Sequence, residues 1–207
     1  MIEQRLALIK AGRPLSSDPT VIGPAVLQVT MFVERLRTLQ KHIERLEARI
    51  EEVFAAHPAA TFFRQLPGAG ATFAPRMLVA FGDAPGRYQS AAHLQMYGGI
   101  APVREKSGNQ FWVHWRWNAP KFLRQTFVEW AGQTVLYSAW ARAYYFYQKQ
   151  HGKKHAAILR ALAFKWIRIL WRCWQNHEPY DEARYLEALK RRRSHLADAI
   201  AHGPVAA

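Results

Sequence analysis

The chain is 207 residues long and half hydrophobic, with 29 Lys and Arg against 15 Asp and Glu, a formal net charge of +14. That length holds one good core with an appended extension, and the charge calls for a polyanionic partner, nucleic acid ahead of an anionic membrane surface. A lone cysteine, Cys173, excludes a disulfide framework and multi-cysteine zinc modules, and no run of about 18 uncharged apolar residues offers a membrane span.

The charge is uneven. Residues 1–57 carry 8 basic and 7 acidic side chains, which leaves 21 and 8 for residues 58–207. The polyanion surface therefore belongs to the second part. The opening "MIEQRLALIKAGRP" lacks the apolar core of a signal peptide, and with one cysteine a reducing, cytoplasmic setting is expected.

In chain order, residues 1–24 read as a flexible segment and linker, since 11–24 holds three prolines and two glycines. Residues 25–57 read as a long helix. Val29, Phe32, Leu36, Leu39, Ile43, Leu46, Ile50 and Val53 alternate spacings of three and four, an apolar heptad with charged residues in its gaps. Such a stripe needs a partner, either a second copy of the chain or a helix elsewhere in the fold. His57-Pro58 ends the helix. A short helix "TFFRQL" follows, then "LPGAGATFAPRMLVAFGD", a Gly-x-Gly hairpin entering a helix that closes at Gly82. "SAAHLQMYGG" is another short helix. Residues 100–119 form the main loop, with "QFWVHWRW" as half of a hairpin. One long helix is expected over 120–150, ended at "HGKK", another over 154–176, and a last over 181–196 that runs into a basic tail, 190–207. The fold expected is mainly α: a coiled-coil-like helix, then a helical domain over 58–189 with a helix-hairpin-helix-like element and one basic hairpin loop.

Few residues are suited to metal chemistry. Glu178, Asp181, Glu182 and Glu187 gather at one predicted helix start, where acids ordinarily serve the helix dipole. His151 and His155 have helical spacing but nothing to complete a zinc sphere. Cys173, between Trp171 and Trp174, reads as a packed thiol.

The nucleic-acid signals are stronger. Gly68 and Gly70 let backbone N–H groups approach a phosphate at a helix start, with Arg76 one turn on; the alternative is a plain tight turn. Ser107, in a Ser-Gly pair, is either a turn residue or a hydroxyl able to attack a phosphodiester, with Arg104, Lys106 and Arg116 to balance the charge. Trp112, Trp115 and Trp117 stack bases or pack beneath the loop. Lys121 and Arg124 on one helix, and Lys165, Arg168 and Arg172 on another, form further basic positions that track a backbone or simply face solvent.

Four blocks in order, "LPGAGATFAPRMLVAFGD", "RYQSAAHLQMYGGIAPVREKSGNQ", "PKFLRQTFVEWA" and "HGKKHAAILRALAFKWIRILWRCW", resemble the C-terminal half of insertion-sequence transposases of the IS110/IS116 type, from about Phe62 to Leu189. The resemblance implies a DNA recombinase guided by a structured RNA, with a composite site assembled between protomers. In that pattern an N-terminal RuvC-like domain supplies four metal-binding acids and the C-terminal domain supplies a serine. The serine lies in a Ser-Gly pair after a "GxxP" block, which "GGIAPVREKSG" matches, placing the role on Ser107. The chain departs from the pattern at its start, where only Glu3 and Asp18 precede Ala25. The expectation is therefore a C-terminal fragment that binds no cofactor itself, Mg²⁺ belonging to a RuvC-like half on another chain. Expected partners are DNA, structured guide RNA, further copies of the chain through the 29–53 helix and that separate half, with no membrane. The alternative reading is a non-catalytic nucleic-acid-binding and oligomerisation remnant or regulator.

Overall fold

Local rules account for most of the elements. In the computed structural model, which describes residues 1–13 and 15–201, the first helix, α1, spans Ile2–Ala11 and the second, α2, Pro19–Ala55. The proline-rich stretch yields more helix than its composition predicts. The Asp18 carboxylate accepts from the Thr20 N–H at 2.9 Å, and Pro19, with its fixed φ and missing N–H, is preorganised for a first helical position. Pro24 sits inside the helix and removes one backbone donor near its start without ending it. All eight heptad residues are between 50% and 65% exposed.

The chain divides into two units, Met1–Ile50 and the residues from Glu51 onward. In the second, α3 spans Ala60–Arg64, α4 Gly70–Phe81 and α5 Ala91–Tyr97, with a single 3-10 turn at Pro85–Arg87. The ribbon follows, β1 Val103–Ser107 and β2 Gln110–His114, and then α6 Lys121–Tyr137, α7 Ala139–Gln150, α8 His155–Gln175, α9 Glu182–Arg191 and α10 His195–Ala201. The fold is mainly α, as expected. Of the basic tail 190–207, residues 202–207 lie outside the described residues.

One expected helix, 120–150, is two. The break falls at Ser138, which is extended and buried; its hydroxyl accepts from the Ala141 N–H as the N-cap of α7, and a residue on a distant segment reinforces the start. The Glu182 carboxylate accepts from the Ala139 N–H at 2.9 Å and lies 2.9 and 3.0 Å from the Ser138 hydroxyl, so it caps the start of α7. Tyr180 completes the cluster: its hydroxyl donates to Glu182 and accepts from Trp140 Nε1 at 2.8 Å. Burial, with Glu182 beside it, holds the Tyr180 phenol far above its ordinary pKa. Glu182 therefore serves α7 rather than its own helix, and the N-cap of α9 is Asp181, which accepts from the Arg184 N–H. The last predicted helix is likewise two, separated by Arg192–Ser194.

The core lies where α6 crosses α8, with α4 and α7 packed on α6 and with α5 and α7 on α8. Ile158, Leu162, Trp166, Leu170 and Trp174 bury one face of α8 at spacings of four. Trp130, Trp140 and Trp166 are fully buried, with Trp166 5.0 Å from Trp130 and 4.6 Å from Trp140 between ring centroids. Trp166 also donates to the buried Thr134 hydroxyl at 2.8 Å. Trp166→Ala removes the ring at the centre of this cluster and one of the two hydrogen bonds of that hydroxyl, which still donates to the Ala131 carbonyl at 2.7 Å. It should lower unfolding stability by about 3–5 kcal/mol in chemical denaturation, and a loss under ~1 kcal/mol would contradict the packing.

Candidate nucleic-acid interface

The ribbon stands on the helical unit and ends in a tight turn at Gly108, whose φ of +56° explains the glycine. Ser107 pairs with Gln110 and Arg104 with Val113, an antiparallel register in which directly opposed residues share a face. One face therefore carries Glu105, Ser107, Gln110, Trp112 and His114. The other carries Arg104, Lys106, Phe111 and Val113.

Ser107 is exposed, and its hydroxyl makes no hydrogen bond within the described chain. The remaining serines of this unit are occupied: Ser90 caps α5, Ser138 meets Glu182, and Ser194 accepts from the Leu196 N–H. Alternation sends Arg104 and Lys106, its neighbours in sequence, to the opposite face of the ribbon. Arg116 lies elsewhere again, lining a hollow against α5 with His93 and Tyr97. The three cations expected around Ser107 are not brought together there.

Glu105 is the carboxylate on the serine's face. It accepts from Trp112 Nε1 at 2.8 Å and meets His114 Nε2 at 2.7 Å. The bond to Glu105 raises the His114 pKa above its usual 6.5, and the same bond lowers that of Glu105 below 4.5. The His114 share of this clasp is complete below pH 6.5 and fades as the pH climbs through the raised value. The Glu105 share is complete above pH 4.5 and fades as the pH falls through the lowered one. Glu105→Gln should bring the His114 titration, followed by NMR of the ring protons, down toward 6.5; an unmoved midpoint would show that the clasp does not form.

The opposite face of the ribbon leads into a cleft of about 480 Å³ against α8. Arg104, Val113 and His114 line it from the ribbon, Tyr144 from α7, and two rows of α8 from below, Ala157-Ala161-Lys165 and Arg160-Phe164-Arg168. Each row follows i, i+4 spacing. Arg104, Lys165 and Arg168 are thus drawn together from distant positions, and Arg172 continues the second row beyond the cleft, exposed. Arg160 is not among the expected positions. Its spacing to Phe164 and Arg168 is the signal that would have found it. Its guanidinium lies 4.1 Å from the centroid of Trp115, over a ring that also receives Arg124 at 5.3 Å. Trp115 therefore packs against two arginines at the cleft, whereas Trp117 is 81% exposed.

Among the described residues, some of the other expected positions have structural partners and some do not. Arg76 donates to Glu129 at 2.9 Å and to Thr126 at 3.2 Å, tying α4 to α6. Gly68, at φ +68°, is pressed against α6: a Cβ there would meet Tyr137 Cδ2 at 2.7 Å. Gly70, at φ +52°, faces open space at the start of α4. Lys121 is exposed at the start of α6, and Arg124 donates to the Arg116 carbonyl at 3.3 Å. Burial pushes the Cys173 thiol pKa up, and Glu178 adds to the shift, which leaves the group protonated and inert. Among the described residues no three His, Cys, Asp or Glu side chains converge as metal ligands, and no helix is long and apolar enough to cross a membrane.

Fold and surface together define a mainly helical, strongly basic domain that carries a serine at the tip of an exposed β-ribbon. Residues 60–146 match the model of the transposase IS116/IS110/IS902 family. Similar proteins include a candidate mini-circle transposase for IS117 from Streptomyces coelicolor, 30% identical over 139 residues, 67% of this chain and 34% of that protein. An uncharacterized 43.6 kDa protein of insertion element IS110 from the same organism is 29% identical, over 74% of this chain and 39% of its own length. A pilin gene-inverting protein from Moraxella bovis is 27% identical, over 72% and 48%. The chain spans between a third and a half of the length of these curated relatives.

Proposed function

We propose that this chain is the serine-bearing part of a DNA transposase or recombinase, with Ser107 as the nucleophile. The observation that carries the reading is the serine itself: an exposed, unbonded hydroxyl at the tip of a ribbon, within the matched family segment. The Oγ–P bond would form as the P–O bond to the leaving strand breaks, the serine proton passing to solvent and the departing oxygen taking one up. Attack by a second strand's hydroxyl on the phosphoserine reverses the step and joins the new strands.

The residues around Ser107 do not fit a divalent cation, because Glu105, the carboxylate on its face, is already engaged by Trp112 and His114. No metal step is assigned to this chain. In this reading Mg²⁺ and its acids belong to a RuvC-like half, and structured guide RNA is a second polyanion bound by the basic unit. The unburied heptad of α2 joins copies of the chain. A covalent-adduct assay with that acid-bearing half added tests the assignment. Nucleic-acid binding that yields no adduct in it would instead favour a binding and oligomerisation module.

A further inference from the structure

We propose that the cleft between the ribbon and α8 receives one unpaired nucleotide of a nucleic-acid strand, its phosphate on Arg160, Lys165, Arg168 and Arg104 and its base against the Tyr144–Phe164 wall. This deepens the reading above and rests on it.

The first argument is charge. Three arginines elsewhere in this unit find acids: Arg76 meets Glu129, Arg64 meets Glu51, and Arg184 meets Glu178. The cleft gathers four cations, and no acid lines it. Two of them are drawn partly out of water, since burial depresses the pKa of Arg160, and burial with Arg168 alongside depresses that of Lys165. Crowding desolvated like charges without a counterion is unfavourable, and an anion entering the cleft relieves it.

The second argument is shape. A phosphate alone is satisfied by cations on an open surface. A concavity of about 480 Å³ is the size of a small-ligand site, and its walls are aromatic and aliphatic as well as basic. Lys165 lies 5.0 Å from the centroid of Tyr144, so charge and ring face are adjacent, the combination that holds an anionic nucleotide. A paired base stays within its stack and cannot enter; an unpaired one can. Arg104 is three residues from Ser107 on β1, roughly 10 Å along the strand, so a chain gripped in the cleft continues toward the ribbon tip.

The test compares short duplexes, in DNA and in RNA form, that are fully paired, that carry one unpaired nucleotide, or that carry the same unpaired unit without its base. The chain should prefer the unpaired nucleotide by about tenfold over the other two in at least one of the forms. Lys165→Met and Arg160→Gln should each erase the preference and reduce the slope of log affinity against log salt by about 1. Arg104→Gln should do the same from the ribbon, leaving the helical core intact, whereas Lys190→Met, on α9, should keep the preference. Equal binding of all three duplexes in both forms, or a preference that survives every cleft variant, overturns the proposal. Ser107→Ala should retain the preference, so failure of the cleft and failure of the nucleophile are read separately. Absence of any nucleic-acid binding would sink the functional reading as well.

Discussion

Ser107→Ala is expected to reduce the covalent protein–DNA adduct to background when the chain is supplied with an acid-bearing half, while non-covalent binding stays within about twofold. The reasoning is local. The side chain is exposed, makes no hydrogen bond within the described chain, and caps no helix, so its loss removes a hydroxyl and no fold-supporting contact. Ser138→Ala is the instructive contrast. It removes a buried hydroxyl from the Glu182 cap and should cost about 1–2 kcal/mol of stability while leaving adduct chemistry intact in the folded fraction. The readout is a labelled DNA strand migrating with the protein under denaturing conditions. An adduct of undiminished yield in Ser107→Ala would remove Ser107 from the role, and a wild-type chain that forms none with the acid-bearing half present would do the same.

The opposite-face placement of Arg104 and Lys106 bears on how that serine would work. Three cations near it in sequence suggest a preformed anion site, yet the pleat separates two of them from the hydroxyl and the third lines a different hollow. In the proposed reaction, charge that builds on the attacked phosphate would be met by groups brought to the ribbon tip from elsewhere, which is what the proposed composite site would supply.

How much of this was legible in the sequence depended on the range of the interaction. Gly82 ending α4, Ser90 starting α5 and the hairpin about Gly108 follow from residues within a turn of one another, and all were readable. The break at Ser138 has a local part, the serine N-cap on Ala141, that was legible but missed, and a part no local pattern reports, Glu182, which lies 44 residues away and acts on a foreign helix end. The proline-rich linker misled for the reverse reason: Asp18-Pro19 is a strong helix start that composition alone treats as a loop. At the interface, the basic positions of α8 were visible, but their meeting with Arg104 needed the docking of the ribbon. Arg76 and Gly68, chosen for phosphate, turned out to touch α6, a contact no local pattern could report.

The second large effect concerns α2. Replacing Leu39 and Leu46 together by Lys should turn an associated chain into a monomer, weakening self-association by at least about a hundredfold in sedimentation equilibrium. The stripe they belong to is half or more exposed along its whole length, apolar surface that water disfavours. Its composition also indicates what covers it. Numbering the heptad from Val29 as position a places Val29, Leu36, Ile43 and Ile50 at a, and Phe32, Leu39, Leu46 and Val53 at d. β-Branched residues at a with leucine at d favour two parallel strands. Flanking charge agrees: Arg35, His42 and Arg49 occupy g, and Gln40 and Glu47 occupy e. A parallel pair sets g against e and meets no like charges, whereas an antiparallel pair sets g against g and opposes arginines. Leu36→Cys in a Cys173→Ser background should therefore cross-link under oxidation, since in-register parallel helices bring the same a position face to face. A wild-type chain that is monomeric at micromolar concentration, or a doubly lysine-substituted chain that remains associated, would assign the stripe some other partner.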